Sequence, residues 1–253
     1  MSLLIVHDLS KSFGGVVAAR DVAFSLEPAE MLALIGPNGA GKSTLFNMIG
    51  GQLRPDRGSV LLDGEAITHA SPQERFRQGV GRTFQVAQTF LSMNVAENVQ
   101  MALISRHDES QALWAPARDR HRAEALSLLD QVGMADAADR PCSTLAYGDV
   151  KRVELAIALA SQPKLLLMDE PTAGMAPRER AALMDLTASI AASARVGVLF
   201  TEHDMDVVFG HATRVLVLLR GEIIAGGTPD EIRRNPRVKQ AYLGDDHALA
   251  RTA

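Results

Sequence analysis

Three features of this chain predict an α/β fold in which a buried, largely parallel sheet is interrupted by a helical stretch. The run Met31-Leu32-Ala33-Leu34-Ile35 is short, wholly apolar and closed by Gly36, the pattern of a strand covered on both faces. Runs of the same kind return at Leu165-Leu166-Leu167-Met168, Val196-Gly197-Val198-Leu199-Phe200 and Val215-Leu216-Val217-Leu218-Leu219. Between the two sets, residues from roughly 88 to 160 carry little strand signal and read as mostly helical. Taken in order, Leu3 to Val6 and Val22 to Leu26 read as strands either side of a turn holding Gly14-Gly15. Ser59 to Leu62, closed by Asp63-Gly64, reads as another strand running into a turn. A helix is expected around Ala115 to Val132, after Pro116, with Leu126, Leu129 and Val132 on one stripe. No internal repeat or low-complexity tract is present.

The segment after the first buried strand carries the chemistry. Gly36-Pro37-Asn38-Gly39-Ala40-Gly41-Lys42-Ser43 fits G-x-x-x-x-G-K-[ST] at every fixed position. The glycines let the backbone curl so that successive N–H groups point at one anion, and the following helix adds its positive N-terminal dipole. Lys42 can reach the β- and γ-phosphates, and the Ser43 hydroxyl can ligate Mg²⁺. Thr44 opens the helix, with Leu45, Met48 and Ile49 on one face. A glycine-rich turn without a ligand would not need strand, loop, Lys-Ser pair and helix in register. Nucleotide binding is the reading.

Composition bounds what else the chain can be. At 253 residues and 47% apolar it can bury a full core with room for a small inserted subdomain. A net charge of −4 and a pI near 6.0 argue against a surface that coats nucleic acid. The basic cluster Arg118-Asp119-Arg120-His121-Arg122 has an acid interleaved and reads as a solvated helix face. The single Cys142 excludes an intrachain disulfide, fits a reducing cytosol and reads as a small apolar residue. No stretch approaches the roughly 20 apolar residues of a membrane span, and no signal peptide is expected.

The strand at Leu165 to Met168 ends in Asp169-Glu170-Pro171. An acid at the carboxyl end of a buried parallel strand lies beside the phosphate loop in such folds, so Asp169 is placed to hold Mg²⁺ directly or through water. Glu170 then suits the polarising of a water for in-line attack on the γ-phosphate. Without the phosphate loop, Asp-Glu-Pro would read as an exposed strand-to-helix turn. Gln85 joins the early core to the helical stretch, and its amide can sense Mg²⁺ or the attacking water. His203, after the strand Val196 to Phe200, can contact the γ-phosphate, and Phe13 offers a ring for adenine to stack on. Alone, such residues are more often solvated, structural or core; their order along the chain makes them credible together.

Five segments in order now resemble one family closely. Gly36 to Ser43, Gln85, Leu145 to Asp149, Leu165 to Glu170 and His203 look like the Walker A, Q-loop, signature, Walker B and switch-histidine motifs of ABC-transporter ATP-binding subunits. The resemblance covers essentially all of residues 1–253. It implies a P-loop NTPase fold with a RecA-like core, an antiparallel β subdomain, a helical subdomain within approximately 88–160 and a C-terminal tail from approximately 225. It implies ATP and Mg²⁺, with Ser43, Gln85 and Asp169 at the metal and Glu170, His203 and Gln85 in catalysis. By the same resemblance Leu145, Ala146, Tyr147, Gly148 and Asp149 contact ATP held by a second ATPase subunit, identical or paralogous, packed head to tail. Integral-membrane permeases would then dock near the Q-loop, a periplasmic binding protein would act indirectly, and the chain would lie on the cytoplasmic face of the inner membrane. Arg82-Thr83-Phe84-Gln85, Leu145 to Gly148, Pro171 to Met175 and the tail from Gly227-Thr228-Pro229 to Tyr242-Leu243-Gly244 look like the branched-chain amino-acid uptake type. Urea and short-chain amide importers share that plan, and the Ala241 to Asp245 ending also resembles the ATPase of lipopolysaccharide export.

The chain departs from the usual pattern in three places. The common signature is Leu-Ser-Gly-Gly-Gln; here Ala146 has no hydroxyl, so backbone N–H groups, Gly148 above all, and the helix dipole must do more. Asp149 replaces the subfamily's usual Gln. An acid in the first helical turn contributes about 0.3–1 kcal/mol, yet it brings negative charge toward a triphosphate unless it points away or pairs with Lys151 or Arg152. Ala176 stands where the family's D-loop usually has Asp, and Phe13 where Tyr is common. A second functional class, a non-transport regulator using ATP-driven dimerisation on a soluble partner, usually carries two ATPase halves or long inserted arms. This chain has neither.

Overall fold

The structure is a computed structural model that describes residues 2–85, 89–107 and 120–243. Among these residues ten strands form two sheets. Strands β1 (Leu4–Phe13), β2 (Val16–Leu26), β4 (Arg57–Leu62) and β5 (Glu65–Ala66) make an antiparallel sheet in the order β2-β1-β4-β5. The larger sheet has the order β10-β9-β3-β8-β7-β6, built from β3 (Met31–Ile35), β6 (Val80–Thr83), β7 (Leu165–Asp169), β8 (Gly197–Thr201), β9 (Arg214–Leu219) and β10 (Glu222–Gly227). All its neighbours run parallel except β10, which pairs antiparallel with β9 at the edge.

The continuous apolar runs are explained by burial on both sheet faces. Side chains alternate along a strand, and the two faces feed two separate cores. Met31, Ala33, Ile35, Leu166, Met168, Val198 and Phe200 face one core. Leu32, Leu34, Leu165, Leu167 and Leu199 face the other, with the antiparallel sheet and the helix that follows the phosphate loop. That helix, α1 (Lys42–Gly50), is buried more completely than one amphipathic face requires: Leu45, Phe46, Met48 and Ile49 are all inaccessible.

The first two strands run much longer than the apolar stretches that announce them, because β1 and β2 continue to the turn at Gly14-Gly15 with largely exposed side chains. Hydrophobic pattern marks only the half of a hairpin that is covered. The Asp63-Gly64 turn joins β4 to β5 with positive φ at both residues (52° and 82°), the geometry a tight hairpin needs.

Between β6 and β7 the described residues hold three α-helices, α3 (Val95–Arg106), α4 (Arg122–Gln131) and α5 (Tyr147–Leu159), and two short 3-10 turns. A short helix, α2 (Pro72–Arg77), precedes β6. Asn94 caps α3 by accepting from the Glu97 N–H and Glu97 reaches back to the Asn94 N–H, so two N–H donors at the helix start are satisfied. Leu129 and Val132 are buried on the expected stripe and Leu126 is partly buried, while Ala115 to Asp119 lie outside the described residues. Arg122 of the expected basic face pairs with Asp139 at 2.8 Å. Cys142 is buried and lies 3.2 Å from the Asn98 amide. After β7 the described residues hold four more α-helices: α6 (Pro177–Ala194), α7 (Met205–His211), α8 (Pro229–Arg234) and α9 (Pro236–Leu243). Ile232 and Val238 bury against the core, and Gly244 and Asp245 lie outside the described residues.

Candidate functional site: a phosphate loop facing an acidic strand end

Every chemical group of the site sits at the carboxyl end of the parallel sheet, where loops leaving neighbouring strands converge. The loop Gly36 to Gly41 leaves β3, the central strand, and enters α1. Two of its glycines are dictated by the chain itself. A Cβ on Gly36 would lie 2.2 Å from the Leu218 carbonyl oxygen, and one on Gly41 2.1 Å from that of Ala18, where φ is also +107°. The Lys42 ammonium folds over the loop and donates to the carbonyls of Gly36 (2.6 Å) and Pro37 (3.2 Å). Burial pulls Lys42 below the usual lysine range, opposed by the negative charges of Glu170 and Asp169.

Asp169 and Glu170 end β7 beside β8. The Thr201 hydroxyl donates to Asp169 Oδ1 at 2.8 Å and accepts from the Glu170 N–H at 3.0 Å, so one hydroxyl orients both acids. Glu170 adopts φ +48°, uncommon for a residue with a side chain. Its carboxylate is clamped from two sides. Gln85 Nε2 donates to Oε2 at 2.6 Å, and His203 Nε2 lies 2.8 Å from Oε1. A ring nitrogen facing a carboxylate carries hydrogen, which fixes the His203 tautomer or charges the ring.

A cleft of ≈ 240 Å³ is lined by Asn38 to Thr44, by Val16, Val17 and Ala18 of β2, and by Glu170 and His203. Ser43 is exposed in it, and Thr44 is half-buried. Phe13 stands outside that lining: it is 50% exposed near the hairpin tip, its ring 5.7 Å from the Lys11 ammonium. The donors near the loop are a hydroxyl (Ser43), carboxylates (Asp169, Glu170) and an amide (Gln85). These are hard oxygen ligands of the kind Mg²⁺ takes, with no competing imidazole or thiolate set beyond His203. A larger groove of ≈ 380 Å³, against Leu128, Leu159 and Ile190, holds none of these residues. Among the described residues His107, His121 and Glu124 also cluster their metal-ligating atoms. Their imidazoles stack at 4.5 Å with planes 5° apart, so the in-plane lone pairs run parallel instead of converging.

The signature segment opens α5. Ala146 is its cap residue and offers no side-chain acceptor; Tyr147 is exposed, and Gly148 is buried. A Cβ on Gly148 would meet the Glu179 carboxylate and Met175 only at 3.4 Å and beyond, ordinary contact. Leu145 is half-buried. Of the two ways in which Asp149 could be accommodated, pairing with Lys151 or Arg152 is not the one these two residues adopt. Lys151 turns inward to the carbonyls of Phe84 (2.7 Å) and Gln85 (3.0 Å) and to Glu154 (3.0 Å), and Arg152 donates to the Val132 carbonyl at 3.4 Å. Ala176 caps α6 without a side-chain acceptor, so only the return bond from its N–H to Glu179 (3.2 Å) is formed.

Several residues that build the site carry no motif signal. Thr201 and Glu202 lie in the same Thr-Glu-His-Asp run as His203. Glu202 is buried, accepts from the Thr172 N–H and hydroxyl, and is pushed above the usual carboxylate range by that burial. Arg75, 1% exposed, donates to the carbonyls of Met48 and Ile49 at the end of α1 and of Thr68 and Ala70; burial pulls its pKa down to about 10. Isolated buried charges leave no periodic trace in a single sequence.

Similar proteins include ATP-binding subunits of transporters. A family profile described as ABC transporter matches residues 19–173, and a second, described as branched-chain amino acid ATP-binding cassette transporter, matches residues 222–248. The chain is 40% identical to the high-affinity branched-chain amino acid transport ATP-binding protein LivG of Escherichia coli (strain K12), covering 96% of this chain and 98% of that protein. It is 38% identical to BraF of Pseudomonas aeruginosa over the same shares, and 33% identical to the lipopolysaccharide export ATP-binding protein LptB of Haemophilus influenzae over 98% and 100%. Among solved structures, the ADP conformation of MJ1267, an ATP-binding cassette of an ABC transporter, superposes with a TM-score of 0.87 at 31% identity, covering 97% of this chain and all of that one. With the loop, the acidic strand end and this likeness over nearly its whole length, the chain belongs to the ABC transporter family of ATP-binding subunits.

Proposed function

We propose that this chain is the ATP-hydrolysing subunit of a membrane importer for branched-chain or chemically related amino acids. The observation that carries the solute class is likeness to LivG and BraF over almost the full length, reinforced by the separate match of the tail at 222–248. Likeness to lipopolysaccharide export ATPases is lower, at 33%.

In this reading the loop N–H groups and Lys42 hold the β- and γ-phosphates. Ser43 and Asp169, the latter oriented by Thr201, hold Mg²⁺, with Gln85 as a further contact. Bound there, Mg²⁺ neutralises phosphate charge. Glu170 takes up the proton of the attacking water through whichever lone pairs Gln85 and His203 leave open, and His203 supplies positive or hydrogen-bonding character toward the γ-phosphate. Leu145 to Asp149 close on the nucleotide of a second ATPase subunit, and the helical segment 88–160 with the Q-loop presents the permease-docking surface at the cytoplasmic face of the inner membrane. No helix among the described residues is long and apolar enough to cross a membrane, which agrees with a peripheral subunit.

The test is uptake of radiolabelled leucine in cells deleted for this chain and complemented with the wild type or with Glu170→Gln. Loss on deletion, rescue by the wild type and none by the variant are expected. Unchanged leucine uptake with defective lipopolysaccharide assembly would move the chain to the export class.

A further inference from the structure

We infer that Lys151 and Glu154 are positioning residues that tie the signature helix to Gln85, so that one nucleotide half-site of the chain reports directly to the other. The last residue of β6 paired in the sheet is Thr83, opposite Met168. Phe84 and Gln85 therefore leave the sheet with backbone groups that β7 does not hold. Helix α5 holds them instead. The Phe84 N–H donates to Glu154 Oε1 at 2.8 Å, and the Lys151 ammonium donates to the carbonyls of Phe84 (2.7 Å) and Gln85 (3.0 Å). The third lysine hydrogen goes to Glu154 Oε2 at 3.0 Å, which uses all three donors.

Burial makes this clasp unusual. The two side chains are 1% and 4% exposed. A buried ion pair contributes little net stability compared with apolar residues of the same volume. What it does supply is direction: three hydrogen bonds of fixed geometry join one helix turn to two consecutive residues, and the Lys151–Glu154 pair braces them from within the helix. Lys151 lies three residues after Gly148 and three before Glu154, so the clasp is one helical turn from the signature glycine. Tyr147 adds its hydroxyl 3.5 Å from the Gln85 carbonyl. From the clasp, the Gln85 amide reaches Glu170. A contiguous path of contacts thus runs from the element that grips the partner's nucleotide to the acid beside the chain's own phosphate loop.

The inference rests on Gln85 and Glu170 acting in hydrolysis, and it is tested by a double-mutant cycle on the transporter complex isolated through a tag on this chain. Lys151→Met and Gln85→Ala are each expected to slow ATP hydrolysis on the order of tenfold, with binding of a fluorescent ATP analogue held within about twofold. The double variant is expected to be no slower than the slower single one, because both remove the same action. Glu154→Gln, which keeps an acceptor for the Phe84 N–H, is expected to retain the rate within a few-fold. If Lys151→Met fails to fold, Lys151→Met combined with Glu154→Leu removes both charges together and takes its place in the cycle. Losses that multiply, or a wild-type rate with Lys151 replaced, would overturn the coupling while leaving the site reading intact. A wild-type rate in Gln85→Ala would overturn both.

Discussion

The two nucleotide-facing ends of this chain are built to different degrees of completeness. The phosphate loop is determined from within: Gly36 and Gly41 admit no side chain because backbone oxygens of Leu218 and Ala18 stand about 2 Å from where a Cβ would be, and Lys42 is already bonded to the loop's carbonyls. The signature end is not. Gly148 is buried yet has ordinary room for a methyl, Ala146 caps α5 with no acceptor, and Tyr147 is exposed. Steric demand inside one chain accounts for the first set of residues and does not account for the second. That difference teaches that the signature residues answer to something outside the chain, a second ATPase subunit in the function proposed.

The largest effect that probes the contrast is expected at Glu170. Glu170→Gln keeps the size of the side chain and one of the two oxygen acceptors that Gln85 and His203 face but removes the base, and ATP turnover is expected to fall about 10²–10⁴-fold while ATP binding persists and the closed dimer accumulates. Steady-state hydrolysis beside equilibrium binding measures this; turnover near the wild-type rate would remove Glu170 from the base role. Next comes Arg75, which holds the phosphate-loop helix by its last carbonyls. Arg75→Met leaves those buried acceptors unpaired and is expected to cost about 3 kcal/mol or more of folding stability, read as a lowered midpoint in urea. An unchanged midpoint would mean that the end of α1 needs no such tether.

A smaller effect is expected at Glu202, which bonds Thr172 just beyond the acidic strand end. Its folded-state carboxyl titrates above the ordinary range, so the native state binds more protons than the unfolded one over the interval between the two values. Stability from this group is therefore present below the unfolded value and lost as pH rises through the raised one. Glu202→Gln, which preserves an acceptor for Thr172, is expected to flatten that part of the Tm-against-pH curve; identical curves would rule the linkage out. The smallest effect is expected at Asp149. Asp149→Gln removes a favourable helix-dipole interaction of about 0.3–1 kcal/mol, and the hydrolysis rate is expected to stay within about threefold. A large gain in rate would instead show that the Asp149 charge opposes the partner's triphosphate.

The same contrast decided what could be read from sequence. Residues 36–43 announce themselves because a phosphate cradle allows few residue types at fixed spacing, and the buried strands because both faces of a parallel sheet must be apolar. The long hairpin β1–β2 was underestimated because its outer half is exposed and unpatterned. Asp169, Glu170, Gln85 and His203 were legible as motif positions, and they converge within hydrogen-bonding reach of one another or of Thr201. Thr201, Arg75 and the Lys151–Glu154 clasp were not. Their roles depend on which distant backbone groups lack a partner, and that is set by the tertiary fold. Lys151 shows it best: sequence spacing offers Asp149 as its neighbour, and the fold offers the carbonyls of Phe84 and Gln85 where they leave the sheet.

The most direct test of the two-end account is Gly148→Ala in the isolated chain and in the assembled transporter. In the chain alone, the thermal midpoint is expected to stay within about 0.5 kcal/mol of wild type in stability terms, as for an ordinary substitution with room for a methyl, and ATP binding is expected to hold within about twofold. In the assembled complex, the same variant is expected to lose at least tenfold in ATP hydrolysis. Wild-type hydrolysis in the complex, or a destabilised chain on its own, would contradict the claim that this end of the molecule is completed by a second subunit.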